Sequence, residues 1–258
     1  MSQEHINPIL ANSMVKNLLD THGHYVFGID DGAVDIEMSL AMLRKAREQG
    51  VQAIICTSHS WGNYGKYRQH FEELQRRIIL DKIDVTIYQG TEIECNEFAL
   101  KKSFEELNAG VVRPLGKSKY LMFEFDRDIR AKEILCYVKQ LMDETEYIPV
   151  IAHAERYLSL STDEIALKTL QHWNVPIQIN AYSLVEEQNQ EVRDFARKLL
   201  NLKFVTFIGS DAHRIGHRPP NVRSGVDYIY ANCDIAYAHS VCFDNAKKLL
   251  INKHPGLW

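Results

Sequence analysis

The feature that most constrains the fold of this sequence is a repeated alternation of short β-rich runs with segments of helical periodicity. A weak strand candidate precedes His22, and six clearer ones span residues 53–56, 85–88, 120–125, 148–152, 175–179 and 204–208. These runs are apolar almost throughout, as expected of strands buried on both faces of a sheet. Strand–helix alternation of this kind predicts βαβ units and a parallel sheet.

Helical patterns fill the intervals between the strands. Ile36, Leu40 and Leu43 follow the spacing of one helix face, and Ser161 with Glu164 has the spacing of a capping box. Seven strand–helix units favour a closed or nearly closed parallel barrel, with an open doubly wound sheet as the alternative. We expect an N-terminal extension at residues 1–16 and a single barrel domain at 17–258, since such barrels often form one domain at this length.

Composition excludes several classes of protein. Hydrophobic residues make up 45% and the net charge is −4, which favours a large core and argues against nucleic acid as the main partner. The five cysteines contain no CxxC pair, so we expect reduced thiols rather than a disulfide framework. We find no secretory signal and no apolar run long enough for a membrane span, so the prediction is a cytoplasmic protein.

Residues of metal-binding type stand at the ends of the predicted strands. Six of the seven strand ends carry them, and Asn180 follows the other. The carboxyl ends of parallel barrel strands share one rim, where active sites are built. The sequence therefore predicts a metal site on that rim with nine candidate ligands: His22, His24, Asp31, His59, Glu92, Glu124, His153, Asp211 and His213.

Several of these residues could also stand at strand ends for reasons that involve no metal. His22 and His24 could be exposed or capping histidines, although their spacing of two on extended backbone directs both rings to one side. Asp30 and Asp31 could form a turn and a helix cap, or one could do so while the other binds metal. Glu124 is harder to explain without metal, because a lone carboxylate in an apolar run is costly to bury.

The charges of the nine residues favour more than one ion. Four carboxylates face five histidines that are neutral as ligands, so three divalent ions would leave a surplus of about two positive charges. Such a surplus suits a phosphate dianion. Histidine and carboxylate ligands without thiolate suit zinc, manganese or iron(II).

These motifs resemble those of the polymerase and histidinol phosphatase (PHP) superfamily. The resemblance rests on the sequences DTHGH at 20–24, TSH at 57–59, the glycine-preceded Glu92, AH at 152–153 and SDAH at 210–213. Three finer motifs are similar to the bacterial capsule- and exopolysaccharide-type metal-dependent protein tyrosine phosphatases: GIDDGA at 28–33, HAERY at 153–157 and RPP at 218–220.

The resemblance implies a distorted seven-stranded parallel (β/α)7 TIM-like barrel. It also implies a trinuclear site, with manganese favoured over zinc or iron. It assigns His22, His24, Glu92 and Asp211 to the first ion, Glu92, Glu124 and His153 to the second, and Asp31, His59 and His213 to the third. It places Arg156 and Arg218 at the substrate phosphate, where guanidinium groups suit phosphoryl oxygens. It further implies a phosphotyrosine-bearing protein as partner, namely a bacterial tyrosine kinase of capsule or exopolysaccharide biosynthesis.

The expected reaction is direct hydrolysis of a phosphomonoester by a metal-activated hydroxide. No cysteine is followed by arginine six positions later, so the phosphate loop of cysteine-based tyrosine phosphatases is absent from the sequence. The alternatives are a small-molecule phosphatase, such as a histidinol-phosphate phosphatase, and a non-catalytic metal-binding PHP protein.

The sequence departs from the family pattern at two places, 25–27 and 60–61. We expect these residues to line the mouth of the site, with aromatic walls formed by Tyr25, Phe27, Trp61, Tyr64, Tyr157 and Tyr182.

Overall fold

The computed structural model describes residues 17–185 and 189–251, with the side chains of Glu97 and Phe98 excepted. The expected N-terminal extension at 1–16 lies outside the described residues. Eight strands are present in the described part: β1 (Leu18–Gly23), β2 (Val51–Cys56), β3 (Thr86–Gln89), β4 (Glu92–Glu94), β5 (Tyr120–Glu124), β6 (Ile148–Ile151), β7 (Ile177–Asn180) and β8 (Val205–Gly209).

Helices connect nearly all of these strands. They are α1 (Ile36–Glu48), α2 (Tyr64–Leu80), α3 (Glu97–Asn108), α4 (Ala131–Glu144), α5 (Leu158–Thr162), α6 (Glu164–His172), α7 (Gln190–Asn201), α8 (Arg223–Asn232), α9 (Ile235–His239) and α10 (Asn245–Lys248). Short 3-10 turns follow β6 and β7, at Ala154–Arg156 and Ala181–Leu184, and a π-helical turn spans Ser240–Asp244. No helix among the described residues is long and apolar enough to cross a membrane.

The strands form two parallel sheets, ordered β1-β2-β3 and β4-β5-β6-β7-β8. Two backbone bridges connect the sheets. Gly23 at the end of β1 pairs with Ala212 just after β8, and His59 just after β2 pairs with Glu92 at the start of β4. The α/β class and the parallel pairing predicted from the alternation are confirmed.

The expected count of seven strands differs from the eight that are observed, because β4 follows the third predicted strand, 85–88, as a separate short strand. Gly90 and Thr91 separate β3 from β4. A Cβ at Gly90 would lie 2.7 Å from the Ile55 side chain, so glycine is required at this break between the strands. After the break, the backbone of Glu92 pairs with that of Ser58 and Ser60, while its carboxylate enters the site.

Alternating strand residues bury two opposite faces. One face packs against the helices, for example Leu18, Ile54 and Ile208, whereas the other forms a smaller cluster with Leu19 and Ile55 among its members. Burial on both faces explains why these strands are apolar throughout. The polar exceptions gather where the strands end, and there they form the site.

Candidate metal centre

All nine predicted ligands come together in one cluster. Eight of them lie at or after the carboxyl ends of strands, and Glu92 lies at the start of β4. Eight of the nine fall into three groups of potential ligand atoms that lie within 4.8 Å of one another. The groups are His22, His24, Glu92 and Asp211; His24, Asp31, His59 and His213; and His59, Glu92 and Glu124. The ninth residue, His153, contacts Glu92 with its Nε2 atom 2.8 Å from Oε1.

Glu92 is the centre of the cluster, and its side chain is 1% exposed. Its Oε2 atom lies 3.1 Å from Nε2 of His22, 3.3 Å from Nε2 of His24 and 3.3 Å from Nδ1 of His59. Its other oxygen faces His153. The two carboxylate oxygens therefore point toward different subsets of histidines, which is the geometry that a bridging ligand requires.

Three of the imidazoles direct an unsatisfied nitrogen into the cluster. Nε2 of His22, Nε2 of His24 and Nδ1 of His59 are buried and have no hydrogen-bond partner among the described residues. Buried polar atoms are ordinarily paired, because leaving one unpaired costs about 1–3 kcal/mol. These nitrogens, with the carboxylates beside them, fit divalent cations of the kind that accept mixed nitrogen and oxygen ligands.

The ligand sets implied by the resemblance agree with this geometry in part. The first implied set, His22, His24, Glu92 and Asp211, matches one observed group completely. The observed group that contains the third implied set also includes His24. In the second set, the observed companion of Glu92 and Glu124 is His59, whose Nδ1 lies 2.6 Å from Glu124 Oε1. His153 Nε2 lies 3.8 Å from Glu124 Oε2. His59 therefore stands between two of the groups.

The ionisation of the cluster favours cation binding. Burial alone would raise the pKa of Glu92, but the charges of His22 and His59 outweigh burial and hold that pKa well below its usual value. Burial would likewise raise the pKa of Asp211, which Arg156 and then His22 hold well below its usual value. Both carboxyls thus remain anionic in the interior.

Two histidines stay neutral for a related reason. Burial, followed by the charge of Arg156, lowers the pKa of His153 to about 4. Burial, followed by the charge of His24, lowers the pKa of His213 to about 4. At neutral pH both rings are deprotonated, which is the form that binds metal.

The two predicted arginines lie beside the cluster and meet at Asp211. Arg156 Nη2 is 2.8 Å from Asp211 Oδ2 and donates to the Tyr182 hydroxyl at 2.6 Å. Arg218 Nη1 is 3.2 Å from the same carboxylate oxygen, and its other terminal nitrogen contacts the His213 ring. Both guanidinium groups therefore lie next to the predicted ligands.

Backbone strain also concentrates at this site. Seven non-glycine residues of the described chain have left-handed backbone, and three of them are predicted site residues: His153 (φ 31°), Asp211 (φ 52°) and Arg218 (φ 53°). Such conformations cost about 1–3 kcal/mol and persist where the surroundings enforce them.

Two buried aspartates that were not among the candidate ligands support the histidines. Asp30 Oδ2 lies 2.8 Å from His24 Nδ1 and accepts the backbone N–H of His59 at 2.9 Å. Asp20 accepts the backbone N–H and the hydroxyl of Ser210, which ties β1 to the end of β8. Asp20 stands two positions before His22 on the same strand face, and this period of two is a signal that could have identified it.

Strand β7 contributes a second supporting pair, of which only Asn180 was noted from the sequence. Gln178 contacts His22 and His153, and Asn180 donates to Asp211 at 3.0 Å. Both are fully buried polar residues, two positions apart in an otherwise apolar strand. That alternation was the available signal.

The prediction of aromatic walls is correct only in part. Tyr25 and Tyr157 are 0% exposed, so the expectation that they line the mouth is wrong. Their hydroxyls are used in the interior, where Tyr25 donates to Asp20 and Tyr157 accepts from the Phe125 backbone. Trp61, by contrast, is 50% exposed and stacks on His59 with ring centroids 4.7 Å apart.

The thiols contribute nothing to this chemistry. All five cysteines are free, and Cys56, Cys95 and Cys242 are buried. Burial raises the pKa of each of these three thiols, which keeps them protonated.

Sequence comparison relates the chain to capsule-synthesis proteins. The model of a family described as "Capsular polysaccharide synthesis, CpsB/CapC" matches residues 18–251. The tyrosine-protein phosphatase CpsB of Streptococcus pneumoniae is 29% identical over 246 residues, which cover 92% of this chain and 99% of the relative. The tyrosine-protein phosphatase YwqE of Bacillus subtilis is 31% identical over 214 residues, which cover 78% and 79% of the two chains.

Structural comparison agrees with the sequence. A solved chain from a study of YwqE and CpsB, described there as metal-dependent tyrosine phosphatases, superposes with a TM-score of 0.78 at 28% identity, covering 92% of this chain and 95% of that chain. A phosphotriesterase homology protein from Escherichia coli has a TM-score of 0.61 at 11% identity, covering 91% and 99% of the two chains, and shares the fold alone.

Proposed function

Because this chain belongs to the CpsB/CapC family of capsular polysaccharide synthesis proteins, we propose that it is a metal-dependent tyrosine-protein phosphatase. The observation that carries the proposal is the convergence of five histidines and four carboxylates around Glu92, with unpaired ring nitrogens directed inward. A cluster of this composition is anionic without cations, and it becomes a phosphate site only when cations are bound.

We assign three divalent ions, with manganese favoured over zinc or iron, to the three sets of ligands. His22, His24, Glu92 and Asp211 would hold one ion. Glu124 with His153 or His59 would hold another beside Glu92, and the remaining set, Asp31 and His213 with His59, would hold the third. Bound there, such ions would lower the pKa of a water nucleophile toward about 7 and offset charge on phosphoryl oxygens.

The arginines would orient the phosphate. Arg156 and Arg218 have guanidinium groups within 3.2 Å of Asp211, so their remaining donors can reach an anion beside the cluster. Tyr182 restrains Arg156 through its hydroxyl. Since guanidinium groups keep their charge at all physiological pH values, they add positive charge where the transition state is most anionic.

The substrate that we propose is a phosphotyrosine-bearing protein, specifically a bacterial tyrosine kinase of capsule or exopolysaccharide biosynthesis. An exposed aromatic face at Trp61 lies next to His59 and could contact the tyrosine ring. Offset or edge contacts between aromatic rings contribute about 1 kcal/mol each.

We also propose that β3 and β4 act as one interrupted strand, which would make the two sheets a distorted seven-stranded TIM-like barrel.

The test is a comparison of substrates at saturating manganese. We expect phosphotyrosine peptides to be hydrolysed with higher kcat/KM than phosphoserine peptides or histidinol phosphate, and chelation to abolish turnover. Trp61→Ala should narrow the difference in kcat/KM between phosphotyrosine and phosphoserine peptides. Trp173→Ala alters an aromatic residue directly after α6, beside Ile148 and Pro176 at the amino ends of β6 and β7, and should leave that difference unchanged.

Two results would contradict the proposal. A preference for histidinol phosphate would identify a small-molecule phosphatase. Full activity in a verified metal-free preparation would exclude the metal-dependent reaction.

A further inference from the structure

The buried amide of Gln178 contacts two of the predicted metal ligands at once. Its side chain is fully buried on β7. The Oε1 atom accepts the backbone N–H of His153 at 2.8 Å and lies 3.2 Å from Nδ1 of His22. What this contact does depends on which end of the amide faces the histidines.

The orientation of the Gln178 amide is fixed by its other end. Its Nε2 atom donates to the backbone carbonyl of Ile179 at 2.6 Å and to Oδ1 of Asn180 at 3.0 Å. A carbonyl oxygen can only accept, so reversing the amide would place two acceptors against each other. It would also turn an N–H toward the backbone N–H of His153.

The orientation of Asn180 is fixed in turn by a carboxylate. Its Nδ2 atom donates to Oδ2 of Asp211 at 3.0 Å. Because an ionised carboxylate accepts only, the amide nitrogen must face Asp211 and the amide oxygen must face Gln178. The carboxylate of Asp211 thus determines the direction of each hydrogen bond along the chain to His22.

The consequence for His22 is a defined tautomer. With an acceptor at Nδ1, the ring carries its proton there and leaves a lone pair on Nε2. That nitrogen lies 3.1 Å from Glu92 and 3.6 Å from Asp211, inside the cluster, and has no hydrogen-bond partner among the described residues. Histidines that bind metal almost always donate their second ring N–H in this way.

The backbone of β8 packs closely against both His22 and Gln178, so that only glycine fits at position 209. A Cβ on Gly209 of the neighbouring strand would lie 2.7 Å from Cβ of His22 and 3.2 Å from Nε2 of Gln178. The same amide holds the backbone of His153, which has left-handed backbone at φ 31°.

We propose that Gln178 is a positioning residue for the metal centre, which fixes the tautomer of His22 and the backbone of His153 so that both rings present Nε2 to the cations. The inference rests on the proposed metal-dependent function. It concerns the unloaded site, so it can be measured by metal binding without any substrate.

The test uses Mn²⁺ alone, with its dissociation constant measured by competition against a chelating indicator. Gln178→Met keeps the length of the side chain and removes the acceptor, so we expect binding to weaken about 10–100-fold. Gln178→Glu keeps an acceptor oxygen and, as a buried acid facing two oxygen acceptors, retains a proton to donate. Gln178→Glu should therefore keep most of the Mn²⁺ affinity that Gln178→Met loses.

The matched control is Gln49→Met. Gln49 is a half-buried amide at the C-terminal end of α1. Its oxygen accepts from the backbone of Val222 and Arg223 and its nitrogen donates to the Pro220 carbonyl, and none of these partners is one of the nine predicted ligands. Its replacement should leave the Mn²⁺ dissociation constant unchanged.

The outcomes separate the positioning role of Gln178 from the proposed phosphatase function. Unchanged affinity in folded Gln178→Met, or equal losses in the Met and Glu variants, would overturn the positioning role while leaving the phosphatase function intact. A wild-type protein that binds no Mn²⁺ or other divalent ion would overturn both.

A measurement on the wild type covers the case in which Gln178→Met fails to fold. In the zinc-loaded protein, the ¹⁵N spectrum of the histidine rings should show His22 protonated at Nδ1 and coordinated through Nε2, with the resonance assigned by its loss in His22→Gln. The opposite tautomer would exclude the proposed role.

Discussion

At the scale of single residues, the centre depends on the unequal positions of its carboxylates. Glu92 is buried and contacts four histidines through two oxygens. Asp31 has a side chain that is 55% exposed and lies at the edge, 3.3 Å from Nε2 of His213. Replacing a central carboxylate that several cations share should therefore lower the amount of bound metal more than replacing one at the rim.

The first prediction compares these two carboxylates. Glu92→Gln should remove more bound metal than Asp31→Asn, because the loss of the central charge affects every ion that it contacts. Metal stoichiometry of the two purified proteins by elemental analysis provides the measurement. Equal loss, or greater loss from Asp31→Asn, would show that the bridging role is assigned to the wrong residue.

At the scale of secondary structure, the start of α6 illustrates how neighbouring side chains compete to cap a helix. The expected capping box at Ser161 and Glu164 is wrong. Asp163 is the N-cap, and its carboxylate accepts the backbone N–H of Ala166 at 2.9 Å. Ser161 lies in the preceding helix α5, where its hydroxyl donates to the Leu158 carbonyl.

The second prediction follows from the finding that Asp163, and not Ser161, caps α6. Asp163→Ala should lower the free energy of unfolding by about 1 kcal/mol, the usual cost of losing an N-cap carboxylate. Ser161→Ala is the matched control and should cost less, since its hydroxyl bonds only a carbonyl within its own short helix. Urea unfolding of both variants measures the difference, and a larger loss from Ser161→Ala would restore the capping box.

At the scale of the whole molecule, the site joins the two sheets and the first and last strands. His22 lies in β1 and His24 follows it, Glu92 begins the second sheet, and Asp211 and His213 follow β8. The ligands are separated by up to 191 positions in sequence, from His22 to His213. They can therefore meet only in the folded chain.

The third prediction is that metal stabilises the fold as a whole. A ligand that binds only the native state stabilises it by about 2.7 kcal/mol at 100 times its dissociation constant. Chelation should therefore lower Tm, and added manganese should restore it. Thermal unfolding with and without chelator measures this, and Glu92→Gln should respond less than wild type. A Tm that is insensitive to metal in the wild type would contradict native-state binding.

The sequence by itself determined the elements that carry the ligands. Apolar runs identified the strands, and polar residues at their ends identified the rim, because parallel strands in one ring direct their carboxyl ends to the same edge. The spacing of two in His22 and His24 was sufficient to direct both rings to one side, since a strand alternates its side chains.

Only the tertiary structure decided how those ligands are held. The requirement for glycine at position 90 comes from Ile55 on the neighbouring strand, and the buried hydroxyl of Tyr25 is satisfied by a hydrogen bond to Asp20. The tautomer of His22 follows from Gln178, which stands 156 positions away in the chain. Hydrogen-bond direction and close packing are set by distances between strands, and no pattern within a single strand contains those distances.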